Sequence, residues 1–386
     1  MKITDVRPIV TDCFRTNFVF VKVETDEGIS GVGEGTLEYK EKAFCGALEH
    51  IRDYLLGKNP LDIELHFRNI YRDAYWRGGP VLMSALSAVE MALWDIAGKS
   101  MNVPVYRLLG GKVTDRVRIY VNGWFSGARE PEEFAAKAKA AVQRGVTAMK
   151  WDPFGKAWQD ISAAQMDKAM RCVAAVREAV GPGVDLLIEG HGRFNVPTAV
   201  KIAKELEQFK PMFFEEPVPP DNLDALKEVK HRSSVAISAG ERLYTRWDYR
   251  QFFDLMPADY IQPDVSHAGG ILEVKKIAAE AECRYIPFAP HNPSGPVANA
   301  ATLQLAACCP NFSILEIMYS DVVWRGDLTT EKLTYEDGCL CIPDGPGLGI
   351  ELNEEACLAH PYKPHTLRHY DGTLTDIRPA ETAFFY

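Results

Sequence analysis

DLLIEGHGRFN, Asp185–Asn195, is the stretch on which the reading of this chain turns. An apolar run, Leu186–Ile188, leads directly into Glu189, Gly190, His191, Gly192 and Arg193. A short buried strand that ends in a carboxylate, an imidazole and two glycines is a strand tip facing a cleft. Residues two apart on an extended backbone share a face, so Glu189 and His191 are expected to leave the strand together. An acid beside a base suits metal binding or proton transfer. A strand that merely stops at a polar turn would look the same, and recurrence along the chain separates the two readings.

Outward from this stretch, strand-like and helix-like segments alternate from Arg118 onward. RIYVNGWF, AMKWDPF, LLIEGHG, MFFEEP, VAISAGER, DYIQPDVS, RYIPFAPH and SILEIM read as eight strands with seven helical patterns between them. Parallel strands with helical crossovers form either an open doubly wound sheet or a closed barrel. The count favours a (β/α)8-type barrel, and no Gly-rich dinucleotide fingerprint follows any strand. Residues before about 115 read differently. Three short strands (Lys2–Val10, Asn17–Glu24, Ser30–Gly35) precede helical patterns that end in LMSALSAVEMALWDIAGK, an α+β lobe. The expected division is a capping lobe over 1–115, a barrel over 116–325, and a segment over 326–386 that returns to the lobe. The loop Cys13–Asn17 and the stretch Gly31–Glu38 are placed to overhang a neighbouring site, although GVGEG alone reads more readily as a turn.

The 386 residues exceed the usual single-domain length. A net charge of −10 argues against nucleic acid or an anionic membrane as partner. It also requires local positive charge, from a metal or basic residues, if the substrate is an anion. Nine cysteines without framework spacing suit a reduced, intracellular protein. The opening MKITDVRPIVTD lacks the apolar core of a signal peptide, and no apolar run is read as a membrane span, so a cytoplasmic protein is expected.

The strand ends carry the chemistry. They deliver in turn Lys150 and Asp152, Glu189 and His191, Glu215, Glu241, Asp264, His291 and Glu316. In a barrel all of these lie on the C-terminal rim, where catalytic groups collect. Glu215 lies 26 residues after Glu189, and Glu241 lies 26 after Glu215, so three carboxylates come from successive strands. Three converging like charges repel unless a cation sits among them, and all-oxygen ligation favours Mg2+, one per subunit. Such an ion can bind a substrate carboxylate and hold the charge of the ene-diolate formed when the adjacent carbon loses a proton. His191 and His291 suit proton transfer, and Asp264 suits orienting the His291 ring. Lys150 offers positive charge to the substrate, and Glu316 is expected to hydrogen-bond its carboxylate in a protonated or proton-sharing state. His267 follows its strand and is left out of the site. His360 and His365 are expected at the surface.

Further motifs then fall into place: AYWRGGP (74–80), SAVEMALWDIAGK, LLGG, FEEPV, AGER, IQPDVSHAGG, APHNPSGP and PGLG. Together they resemble the enolase superfamily and, within it, the mandelate racemase subgroup. GHGRFN and KWDPFG look most like its galactonate and gluconate dehydratases. The resemblance implies a modified (β/α)7β barrel under an N-terminal α+β cap, in a homo-oligomer. It implies a dehydratase that turns a small anionic sugar acid of the aldonate type into a 2-keto-3-deoxy acid. Glu189, Glu215 and Glu241 would hold Mg2+, His291 with Asp264 would remove the C2 proton, and His191 would protonate the departing C3 hydroxyl. Loops near Phe14–Asn17 and Leu37–Lys40, with Trp76 and Arg77, would contribute specificity. Glu189 stands where most relatives have Asp. Asp152 stands where racemases carry a second lysine base, which disfavours racemisation and leaves Asp152 to bind a substrate hydroxyl. Cycloisomerisation or epimerisation through the same ene-diolate is the alternative, and a catalytically silent metal- or sugar-acid-binding protein is the alternative from another class.

Overall fold

The computed structural model describes residues 1–73 and 75–366; Ala74 of AYWRGGP and the end of the tail, 367–386, lie outside the described residues. The chain opens with an antiparallel sheet of β1 (Ile3–Asp12), β2 (Asn17–Thr25) and β3 (Ser30–Glu34). Four helices follow, α1 (Glu41–Leu55), α2 (Ile63–Arg68), α3 (Gly79–Ser100) and α4 (Val105–Leu108), with a π-helical turn at Asn69–Asp73. The GVGEG stretch is not a turn. Gly31 and Gly33 lie in β3, pressed against α3 so closely that a Cβ on Gly33 would sit 1.8 Å from the Ala88 carbonyl oxygen. Glycine there is a packing requirement. By length and composition α3 could cross a membrane, contrary to the sequence expectation, but 83% of its apolar window is buried inside the protein, as in a core helix.

Parallel strands then alternate with helices. They are β4 (Arg116–Asn122), β5 (Ala148–Trp151), β6 (Asp185–Glu189), β7 (Phe213–Glu215), β8 (Ile237–Ala239), β9 (Tyr260–Ile261) and β10 (Leu315–Met318). The helices are α5 (Pro131–Gln143), α6 (Ala163–Val180), α7 (Val196–Leu206), α8 (Leu223–Arg232), α9 (Thr245–Leu255), α10 (Ile271–Glu282) and α11 (Pro296–Ala306). Neighbours pair in sequence order from β4 to β9, and β10 returns to pair with β4. The strand expected over RYIPFAPH is not regular. Its place is taken by an extended segment that bridges Ile261 and Phe312 through Phe288 alone, because Pro287 and Pro290 have no N–H to give a ladder. The architecture is the α/β barrel with an α+β cap, its ring thinned at the seventh position.

After the barrel, β11 (Tyr335–Glu336) and β12 (Cys339–Cys341) form a hairpin that adds antiparallel to β4. The chain then runs past α12 (Glu354–Ala359) to the cap, where Pro361 pairs with Thr11. All nine cysteines are free.

Three buried carboxylates of the cap close the seam with the barrel and tail. Glu34 accepts from the Gly295 and Ala298 N–H groups (2.6 and 2.9 Å) at the start of α11. Glu90 accepts from Ile271 and Leu272 (2.7 and 3.0 Å) at the start of α10. Asp95 accepts from Leu348 (2.8 Å) and from Val32 within the cap. Negative charge at a helix N-terminus satisfies orphan N–H groups and meets the positive end of the helix dipole.

Candidate active site

A cavity of about 310 Å³ opens between the strand ends and the cap. Lys150, Asp152, Glu189, His191, Glu241, His291 and Glu316 all line it, so the rim positions expected from the sequence are brought together. Buried Glu215 and Asp264 lie immediately behind this lining, each bonded to one of its side chains.

One carboxylate oxygen from each of Glu189, Glu215 and Glu241 lies within 4.8 Å of the others. Burial and mutual repulsion push these acids up, Glu189 and Glu241 to about 7 and Glu215 to about 8. The second oxygen of Glu215 is buried without a hydrogen-bond partner. A converging set of hard oxygen donors that resists ionisation and leaves one atom unsatisfied fits a divalent cation.

Lys150 lines the cavity floor with its charge already engaged. Its Nζ donates to Glu215 (2.7 Å) and lies 3.1 Å from Glu189 and 3.0 Å from Glu316, so its three protons face three carboxylates. Of the two states expected for Glu316, protonated or proton-sharing, the surroundings disfavour the protonated one. Burial alone would raise it, but Lys150 and His291, with the Asn122 amide at 3.0 Å, outweigh burial and hold it at about 2.

His291 Nδ1 lies 2.7 Å from Asp264, and its Nε2 lies 3.4 Å from Glu241. Burial lowers this imidazole, but Glu241, Asp264 and Glu316 together raise it well above the ordinary histidine range. His191 is placed differently from the expectation. β6 stops at Glu189, and His191 follows it in the left-handed region (φ 50°), so strand alternation does not govern its direction. Its N–H donates to Glu189 (2.7 Å) while its Nδ1 meets Asp152 at 2.7 Å. Asp152 also accepts from Arg193 (2.6 Å) and from the Phe154 N–H (2.9 Å), so it orients His191 where substrate-hydroxyl binding was expected of it.

The cap residues are partly displaced from expectation. Phe14 is 41% exposed and does not line the cavity; its neighbour Arg15 does, paired with Glu38 and donating to the Pro293 carbonyl. Trp76 is 81% exposed, and with Arg77 it lines a separate pocket on the cap between α1 and the start of α3. His365 is not a loose surface group, since its Nε2 meets Asp12 at 2.9 Å, and His360 stacks on Trp324. Arg15 and Tyr39, from the two loops expected to contribute specificity, line the cavity, and so do Asn122, Arg242, Tyr244 and His267, to which sequence reasoning gave no role. The DVSH spacing was the available signal for His267, because a residue three after Asp264 lies near it in a helical turn.

Residues 4–110 match the family described as mandelate racemase/muconate lactonizing enzyme, N-terminal domain, and residues 133–356 match the enolase C-terminal domain-like family. The chain belongs to the mandelate racemase/muconate lactonizing enzyme family of the enolase superfamily. It is 37% identical over 360 residues to a D-gluconate dehydratase of Thermoproteus tenax, covering 91% of this chain and 72% of the relative. It is 36% identical over 387 residues to a D-galactonate dehydratase of Pectobacterium atrosepticum, covering 97% and 100%. Among solved structures, a mandelate racemase/muconate lactonizing enzyme from Jannaschia sp. CCS1 superimposes with a TM-score of 0.88 at 34% identity, covering 95% of this chain and 99% of that one. Membership of this family accounts for the cap, the thinned barrel and the acidic cluster within one architecture.

Proposed function

We propose that the protein is a sugar-acid dehydratase, a hydro-lyase acting on an aldonate-type acid. One proton leaves the carbon beside the carboxylate, the hydroxyl leaves the next carbon as water, and the enol product becomes a 2-keto-3-deoxy acid. The observation that carries this reading is the pair of imidazoles at one acidic cluster, each with Nδ1 against its own buried carboxylate. That arrangement fixes both rings and directs proton transfer to Nε2 in each.

His291, backed by Asp264, takes the C2 proton; His191, backed by Asp152, gives a proton to the departing hydroxyl. Glu189, Glu215 and Glu241 would hold one Mg2+ per subunit, which when bound supplies positive charge beside the substrate carboxylate and makes the neighbouring C–H more acidic. Lys150 keeps Glu189, Glu215 and Glu316 in register beneath the substrate. The dehydratase names carried by relatives at 36–37% identity support the same reaction class.

The test is incubation of the purified protein with Mg2+ and a panel of aldonates and aldarates, with carbonyl derivatisation of the products. A 2-keto acid from an aldonate, lost on chelation, is expected. Acids that bind but are returned unchanged would replace this reading with that of a silent binding protein. Glu215→Gln should abolish Mg2+ binding measured by calorimetry, and undiminished affinity would remove the three glutamates as ligands.

A further inference from the structure

His267 lies in the turn after β9, partly buried against the cap, and lines the cavity between the Asp264–His291 pair and the loop that carries Glu38. Its Nδ1 lies 2.8 Å from Ser84 Oγ on α3 of the cap. Ser84 Oγ also lies 2.6 Å from the Pro80 carbonyl oxygen.

These two contacts fix the tautomer. A carbonyl oxygen only accepts, so the single hydroxyl proton of Ser84 is committed to Pro80. The ring nitrogen at 2.8 Å must then supply the other proton, which places it on Nδ1 of His267. Burial lowers the affinity of this imidazole for a second proton, which keeps the ring neutral. Its Nε2 is therefore a bare acceptor. The nearest carboxylate oxygen, on Asp264, lies 3.9 Å away, too far for a hydrogen bond, and it too can only accept when ionised. Both oxygens of Asp264 are already taken, by His291 and by the Ser266 N–H, so the acceptor on His267 is the one that calls for a donor from the cavity.

We propose that His267, set as the Nδ1–H tautomer by Ser84, is a substrate-binding residue whose Nε2 accepts a hydrogen bond from a hydroxyl of the sugar acid. This rests on the sugar-acid reading above and deepens it, because it assigns one hydroxyl of the polyol chain to a named acceptor. The cap thereby acts on specificity from inside the seam as well as through its overhanging loops. A site built to accept from a hydroxyl discriminates strongly against an analogue that lacks it, since the buried acceptor is left unpaired.

Two measurements test it. Nitrogen-15 NMR of the histidine rings, with His267 assigned by its absence in His267→Gln, should show a protonated Nδ1 and a bare Nε2. A proton on Nε2 would overturn the proposal. Calorimetric binding of D-galactonate and D-gluconate with Mg2+, in a His291→Asn background that prevents turnover, supplies the second. His267→Leu should weaken binding by tenfold or more, while His267→Gln, whose amide can donate to Ser84 and accept from the ligand, should retain most of it. Among 4-, 5- and 6-deoxy analogues, one should bind as weakly to the parent protein as the full acid does to His267→Leu, and should lose nothing further in that variant. Equal losses for every analogue in His267→Leu would overturn the assignment. The NMR readout needs no substrate, so a protein that forms no 2-keto acid would sink the reaction while leaving the tautomer separately measurable.

Discussion

At the scale of single residues, the two histidines divide the reaction. His191→Asn should abolish dehydration and still allow exchange of the C2 proton with solvent deuterium, read by proton NMR, because His291 and Asp264 remain in place. Retained dehydration would remove His191 from the acid role. His291→Asn should stop both processes, with kcat lowered by about 10²–10⁴-fold, the usual contribution of a positioned general base. The glutamates were legible in the sequence because they recur every 26 residues at the ends of successive strands, and adjacent parallel strands bring their C-terminal ends side by side. The direction of His191 was not, since it depends on where β6 stops and on a left-handed backbone that no pattern announces. The charge state of Glu316 was hidden too, because it is set by a lysine from a strand far away in sequence. His267 was discounted for lying past its strand, although the turn that follows brings it back over the cavity.

At the scale of elements, β3 and α3 meet through glycine. Gly33→Ala would drive a methyl into the Ala88 carbonyl and should destabilise the protein by about 1–3 kcal/mol, the ordinary cost of overpacking. Chemical denaturation should show a lower midpoint with an unchanged slope. An unaltered midpoint would mean that the two elements can separate without loss. The helices of the barrel were readable in order, since apolar spacing and turn residues mark each one. The seventh strand was overread because RYIPFAPH has the apolar character of a strand while its two prolines withhold the N–H groups that a ladder needs. The displaced Trp76 and Arg77 show a different limit: a motif that accompanies a family need not face its cavity.

At the scale of the whole molecule, the seam makes stability depend on pH. Burial pushes Glu90 up to about 7, against the pull of the Leu272 and Ile271 N–H groups, and pushes Asp95 to about 6 despite Lys99. A carboxyl whose folded value lies above its unfolded one binds its proton more tightly in the native state. The stability it contributes is therefore complete below about 4.5, the ordinary Glu value, and is lost as pH rises through about 7. The Tm of the metal-loaded protein should fall between pH 5 and 8, and Glu90→Gln should flatten part of that fall. An identical slope in the variant would exclude Glu90 as a contributor.

The three acids at the seam also bear on how such proteins can be recombined. Each is a stitch whose thread belongs to the cap and whose eyelet is main chain of the barrel or its tail. A chimera that exchanges the first hundred residues between relatives would keep its footing only where both parents place carboxylates and helix beginnings alike. Grafts limited to Arg15 or to Leu37–Tyr39 leave every stitch intact, whereas Thr36 donates to Glu34 and has to stay, which makes those segments the natural place to re-engineer what the cavity admits.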